Sequence, residues 1–288
     1  MALKFRQLSP FGVQLDKDLA EPFSPQDAES FRALFFNHSL ILVRDQPISH
    51  ALQSRLGAII APPVTQEGDS EILSNQDEKD IFGSAAIDYH ADNLFSAHPQ
   101  VLVSLHARQV VEGDSSTRFV SGVQAAAALP DDLRRRLAGR SVLLAASTDF
   151  TRRNRLAEHP VIPGAPWPQY VRPVIERHPI TGLELLTPNH NQADCIVGLP
   201  EAQSEGLLAE IFALLYRPEA IFEHVWRNGD TIFWDNMALQ HARPAIPVQS
   251  PRILQRVICG GKSFGEMFPI VYDSYTGKTD LAALAADR

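Results

Sequence analysis

Seven short runs of β-branched or alternating apolar residues follow one another from residue 101 onward: Val101–Val111, Ser141–Ala145, Val171–Glu176, Leu183–Leu186, Ile221–Trp226, Thr231–Trp234 and Arg252–Cys259. Runs of this length and composition, broken by turn residues, read as strands. Helical sequence interrupts them at Ser121–Leu129, Asp131–Leu137 and Pro200–Tyr216. At the front, Ser24-Pro25-Gln26-Asp27 predicts a helix with Ser24 as N-cap, proline in the first position and an acid in the first turn, running to about Asn37. A strand at Leu40–Val43 and a second helix, capped by Ser49 and ending near Gly57, follow. Periodicity alone gives a β-rich chain with helices. Many short strands with helices at the front and in insertions suggest a mainly β, jelly-roll barrel with helical decoration. No repeat, linker or low-complexity stretch divides residues 1–288, so one domain is expected.

Composition narrows the function classes. A net charge of −8 disfavours a nucleic-acid partner, because such binding rests on basic groups neutralising phosphates. No apolar run approaches the ~20 residues of a membrane helix, and Met1-Ala2-Leu3-Lys4-Phe5-Arg6 leads into no signal-peptide core, so a cytoplasmic protein with no membrane partner is expected. Cys195 and Cys259 read as free thiols. Arg134, Arg135 and Arg136 read as a solvated helix face, while Arg152, Arg153 and Arg155 sit in a proline-rich segment and are either solvated or turned to an anionic substrate. Two stretches, 62–89 and 150–173, lack periodicity and are expected to be active-site loops.

The chemistry points to His90-Ala91-Asp92. With 10 His and 19 Asp, a His-x-Asp triplet arises readily by chance. Its meaning comes from a third ligand candidate, His241, and from the arginines beyond it. Two imidazoles and one carboxylate occupy one face of a metal and leave the other open, as non-haem Fe(II) oxygenases require, with no thiolate needed. Residues two apart on a strand share a face, so His90 and Asp92 can bind one metal if their strand end faces the barrel interior. His241 would then reach the metal from a distant strand across the barrel.

Six fragments in order carry a resemblance: Leu40-Ile41-Leu42-Val43-Arg44-Asp45-Gln46, His90-Ala91-Asp92, Gly113-Asp114 with Thr117, His178-Pro179 through Gly182, Gly229-Asp230 through Trp234-Asp235-Asn236 and His241, and Arg252, 11 residues after His241. On these the chain resembles the Fe(II)- and 2-oxoglutarate-dependent dioxygenases of the TauD/TfdA (taurine dioxygenase-like) family, over most of its length. The resemblance implies a double-stranded β-helix core with N-terminal and inserted helices. It implies Fe2+ held by His90, Asp92 and His241, with 2-oxoglutarate and O2 as cosubstrates on the open face. Arg252 is expected to grip the far carboxylate of 2-oxoglutarate with two parallel hydrogen bonds. Thr117 is expected to donate its hydroxyl to the same carboxylate, with Ser115 as rival, because Ser115-Ser116 interrupts the family's Gly-Asp-Thr segment.

The expected reaction is oxidation of a C–H bond of a small molecule, by default hydroxylation, as 2-oxoglutarate becomes succinate and CO2. Desaturation, cyclisation and oxidative decarboxylation stay open, as does a cupin-like metal enzyme that does not use 2-oxoglutarate. Asp92 argues against halogenation, which needs a small residue there. Arg256, four residues past Arg252, either contacts the substrate's anionic group or balances carboxylates structurally. Asn93, His190 and Asn191 are further pocket candidates, with turn formation the alternative for Asn189-His190-Asn191-Gln192. Taurine is disfavoured, since Ala61 and Val64 stand near the positions that hold its sulfonate in the family. A small carboxylate, amino-acid derivative or specialised metabolite is the working class. A homodimer or homotetramer is expected by analogy with relatives.

Overall fold

The computed structural model describes residues 3–64, 72–76, 83–162 and 166–275. The chain runs β1 (Lys4–Gln7), β2 (Val13–Asp16), α1 (Pro25–His38), β3 (Leu40–Val43), α2 (His50–Ala58), β4 (Ile72–Ser74), β5 (Ile87–His90), β6 (Leu102–Val110) and β7 (Ser116–Ser121). An insertion follows: α3 (Gly122–Ala127), α4 (Asp131–Leu137), β8 (Ser141–Ala145), β9 (Gln169–Pro173), β10 (Ile175–Arg177), β11 (Glu184–Leu186), β12 (Ala193–Ile196) and α5 (Glu201–Leu215). β13 (Phe222–Val225), β14 (Thr231–Asp235), β15 (Leu239–Arg243), β16 (Arg252–Cys259), α6 (Phe264–Met267) and α7 (Pro269–Tyr275) complete it.

Two sheets build the core. The larger has the order β1-β2-β3-β14-β6-β16-β4 and the smaller β13-β7-β15-β5. All their pairings are antiparallel except β2 with β3. This is the jelly-roll, or double-stranded β-helix, core with N-terminal and inserted helices. β14 shows why the fold closes this way. It is paired on both sides and buried throughout. Ile232 and Trp234 point between the sheets, where Trp234 meets Phe119 edge-on at 5.3 Å. Phe233 points outward under α1, edge-on to Phe31 at 5.5 Å. One apolar run thus serves two cores by alternation.

α1 starts where its cap dictates. The Ser24 hydroxyl accepts from Asp27 N–H at 3.1 Å, and the Asp27 carboxylate accepts from Ser24 N–H at 3.0 Å. The helix stops at Ser39, whose φ of 62° is left-handed.

The predicted strand Val171–Glu176 is two strands in different sheets, β9 pairing with β8 and β10 with β11. Pro173 lacks the N–H needed to extend a ladder, so the run breaks there. The insertion's apolar side, including Leu144, Trp167, Ile196 and Leu208, joins Ala91 and Leu94 in one cluster and so buttresses the turn that carries Asp92. Among the described residues, no helix is long and apolar enough to cross a membrane.

Candidate active site

β5 and β15 are hydrogen-bonded neighbours, with His241 opposite His90 and Arg243 opposite Ile87. Between these pairs one residue of β15, Ala242, therefore faces two of β5, Asp88 and Tyr89. This bulge lets Ile87 and His90, three apart, both face the space between the sheets. His241 thus comes from the adjacent strand, not from across the barrel. Asp92 lies in the turn just after β5.

Nδ1 of His90 is 2.8 Å from the Asp88 carbonyl inside the bulge. Donation there leaves Nε2 as the nitrogen that would bind a metal. One donor atom from each of His90, Asp92 and His241 lies within 4.8 Å of the other two. Asp92 Oδ1 is 3.4 Å from His90 Nε2 and 3.7 Å from His241 Nε2. Ligands about 2.1 Å from a metal and at right angles to one another sit about 3 Å apart, so a small contraction suits one ion. The His241 ring is held by Trp234, edge-on at 5.0 Å, and by stacking on Phe119 at 6.2 Å.

Electrostatics favour the ligating forms of two of the three groups. Burial, then the charges of His90 and Arg256, push His241 down to about 3, so it stays neutral. Burial works against the charged form of Asp92, yet the His90 hydrogen bond and the charges of His90 and Arg256 outweigh it and hold the carboxyl well below its usual range. For His90, burial is outweighed in the opposite sense by the hydrogen bond and charge of Asp92, which raise it. A metal must displace that proton.

The triad opens on a partly solvent-open cleft whose gross volume, open solvent included, is about 530 Å³. Its apolar wall is Leu73, Ile87, Val103, Leu105, Trp234 and Ala242, and its cations are Arg243, Arg252 and Arg256. Arg252 and Arg256 lie four apart on β16 and face the same space. Arg252 is buried, and its N–H donates to Asn75 Oδ1 at 2.8 Å. Thr117 on β7 lines the cavity, and its hydroxyl accepts from Trp226 Nε1 at 3.0 Å, leaving its own hydrogen to donate. Ser115 is buried but is not among the lining residues.

The other pocket candidates are not brought to this cavity. Asn93 has a left-handed φ of 53° and turns the chain, its carbonyl accepting from Ser96 N–H at 3.0 Å. His190 Nδ1 lies 2.5 Å from Asp88 Oδ2, on the bulge. The Asn191 carboxamide is taken up by Ser147 and by the carbonyls of Asp149 and Arg152. All three buttress β5 or its turn.

Of the stretch 62–89, Leu73 and Ile87 line the cavity, while residues 65–71 and 77–82 lie outside the described residues. In 150–173, residues 163–165 also lie outside them, and the described part contributes none of the lining. There Arg153 and Arg155 pair with Glu205 at 2.6 and 2.8 Å, and Arg152 pairs with Asp149 and Glu158 at 3.0 and 2.6 Å.

Sequence reading missed Arg243. Its Nη2 donates to the carbonyls of Gly83 and Ala85 at 3.0 and 2.5 Å, fastening the approach to β5. The signal was present, since a residue two past a strand ligand shares its face.

A jelly roll whose cavity gathers two imidazoles, one carboxylate and a row of guanidinium groups belongs to the class of mononuclear metal-dependent oxygenases in its donor set. Comparison with known proteins narrows the class. Residues 4–258 match the family described as "Taurine catabolism dioxygenase TauD, TfdA family". The chain is 28% identical over 202 residues to pentalenolactone F synthase of Streptomyces avermitilis, a match covering 66% of each chain. It is 26% identical over 275 residues to the alpha-ketoglutarate-dependent 2,4-dichlorophenoxyacetate dioxygenase of Cupriavidus pinatubonensis, covering 85% of this chain and 92% of that one. A taurine dioxygenase crystal structure from Burkholderia xenovorans superposes with a TM-score of 0.73 at 22% identity, covering 91% and 92% of the two chains. The chain belongs to the TauD/TfdA dioxygenase family.

Proposed function

We propose that this enzyme is an Fe(II)- and 2-oxoglutarate-dependent oxygenase that hydroxylates a C–H bond of a small molecule with an apolar body and an anionic group. The reading is carried by one observation: the three donor atoms within 4.8 Å of one another share a cavity with Thr117 and Arg252. His90 Nε2, Asp92 and His241 Nε2 hold the metal. Borderline imidazoles and a hard carboxylate fit Fe(II). When bound, the iron supplies the chemistry by which O2 and 2-oxoglutarate yield succinate, CO2 and a hydroxylated substrate.

The chain's own residues bind, orient and exclude water. Arg252 and Thr117 take the far carboxylate of 2-oxoglutarate, the arginine through its planar fork and the threonine through its free hydroxyl hydrogen. Arg256, four residues further along β16, takes the substrate's anionic group. Leu73, Ile87, Val103 and Leu105 form the surface against which an apolar body packs, keeping bulk water from the reacting carbon.

The test is substrate-dependent succinate formation from a carboxylate and amino-acid library. Turnover should require Fe(II) and vanish in His90→Ala and Asp92→Ala. Full activity in both variants rejects the proposal.

A further inference from the structure

We propose that Asn236 is a positioning residue that sets Asp92 for the metal by gripping its main chain; the inference rests on the metal reading of the triad. Asp92 lies two residues past His90, the last residue of β5, and precedes the left-handed Asn93, so ladder pairing has ended where the carboxylate must be aimed. The Asn236 side chain replaces the missing strand. Its Oδ1 accepts from Asp92 N–H at 2.8 Å, and its Nδ2 donates to the Asp92 carbonyl at 2.9 Å and to the Gln100 carbonyl at 3.1 Å. One carboxamide satisfies both backbone groups of a single residue, as a β partner would. One residue earlier, Gln192 Nε2 donates to the Ala91 carbonyl at 3.0 Å.

Asn236 is itself fixed. It is 0% exposed, and its N–H donates to the Val101 carbonyl at 3.1 Å. Its neighbour Asp235 accepts from the N–H groups of Met237 and Ala238 at 3.0 and 3.1 Å and lies 3.0 Å from His178 Nε2. That histidine accepts from Ile180 and Thr181 N–H at 3.2 and 3.1 Å through Nδ1, so its Nε2–H is the side that donates to Asp235 Oδ1, at 3.3 Å. The His178-Pro179 turn and the Trp234-Asp235-Asn236 run, far apart in sequence, are thus one support ending on Asp92.

The Asp92 carboxylate meets His90 and His241, the other two donors. Before a metal arrives, the grip on its main chain fixes where that carboxylate starts. Partners of this kind are worth about 10–100-fold in metal affinity. Asn236→Asp keeps the shape but has no N–H to give, and it sets a carboxylate against the carbonyls of Asp92 and Gln100.

The test is calorimetric titration of metal-free protein with Mn(II). Wild type should bind one ion and Asp92→Ala none; no binding by wild type overturns the triad reading itself. In folded Asn236→Asp and Asn236→Ala, the Kd for Mn(II) should rise about 10–100-fold. A merely structural role would lower Tm and leave Kd within about threefold of wild type, which overturns the inference. A second measurement needs no variant. In metal-free wild type the Asp92 amide should exchange with solvent far more slowly than an unstructured amide, and exchange at the unstructured rate overturns it equally.

Discussion

Arg252→Ala should weaken 2-oxoglutarate binding without unfolding the protein. The guanidinium is buried on β16 and lines the triad cavity. It stays charged at all accessible pH and matches a carboxylate with a two-pronged grip. Charge-assisted hydrogen bonds contribute about 1.5–3 kcal/mol, and leaving a carboxylate without its partner beside a buried strand adds to the loss. A loss of about 3 kcal/mol corresponds to a Kd on the order of 100-fold higher. Arg252→Lys keeps the charge as a point but not the fork, and should lose on the order of 10-fold. Folding should survive both changes, because β16 is paired through its backbone with β6 and β4, and Arg252 N–H still reaches Asn75. Titration of the Mn(II)-loaded protein with 2-oxoglutarate, followed by heat release, reads the effect. A Kd for Arg252→Ala within about twofold of wild type refutes the anchoring role and favours a metal-dependent enzyme that does not use 2-oxoglutarate.

Arg243→Ala removes the clamp on the carbonyls of Gly83 and Ala85, so amide exchange at 83–87 should accelerate while exchange in β14 stays unchanged; unchanged protection at 83–87 would count against the clamp. Phe233→Ala empties the contact with Phe31 beneath α1 and should cost about 3–5 kcal/mol, read as a shift in the urea midpoint; a cost under about 1 kcal/mol would show that this core collapses freely. Stability should fall as pH drops from 7.5 to 5.5. Burial lowers the pKa of His38, His106, His159, His224 and His241, and of the described histidines only His90 is raised. Groups lowered on folding bind protons more readily in the unfolded chain, so unfolding takes up protons as pH passes below the unfolded value of about 6.5. Each extra proton taken up costs up to about 1.4 kcal/mol per pH unit. Urea midpoints should therefore drop at pH 5.5, and His224→Gln should flatten the slope; a rising midpoint would reverse the argument.

Local signals carried much of this structure into the sequence. The Ser24 cap placed α1, and β8, β16 and α4 keep the bounds that their patterns predict, because caps and apolar runs act within a few residues. β7 and β15 left no strand signal. Their inward positions hold Thr117, His241 and Arg243 where an ordinary strand would hold valine or isoleucine, so the site itself breaks the alternation. The triad's residues were legible, but their geometry was not. The pairing of His241 with His90, the bulge and the Asn236 grip all depend on contacts between residues about 150 positions apart or on a single unpaired residue, which no local pattern encodes.

The central claim is that His90, Asp92 and His241 hold one Fe(II) on which 2-oxoglutarate binds with its far carboxylate at Arg252. An anaerobic titration of Fe(II)-loaded protein with 2-oxoglutarate tests it most directly, by the weak visible metal-to-ligand charge-transfer band of the chelate. The account predicts a band that saturates at one 2-oxoglutarate per iron in wild type, needs far more 2-oxoglutarate in Arg252→Ala and is absent in Asp92→Ala. A wild-type protein that holds iron yet shows no band, or an Asp92→Ala protein that shows the full band, would contradict it.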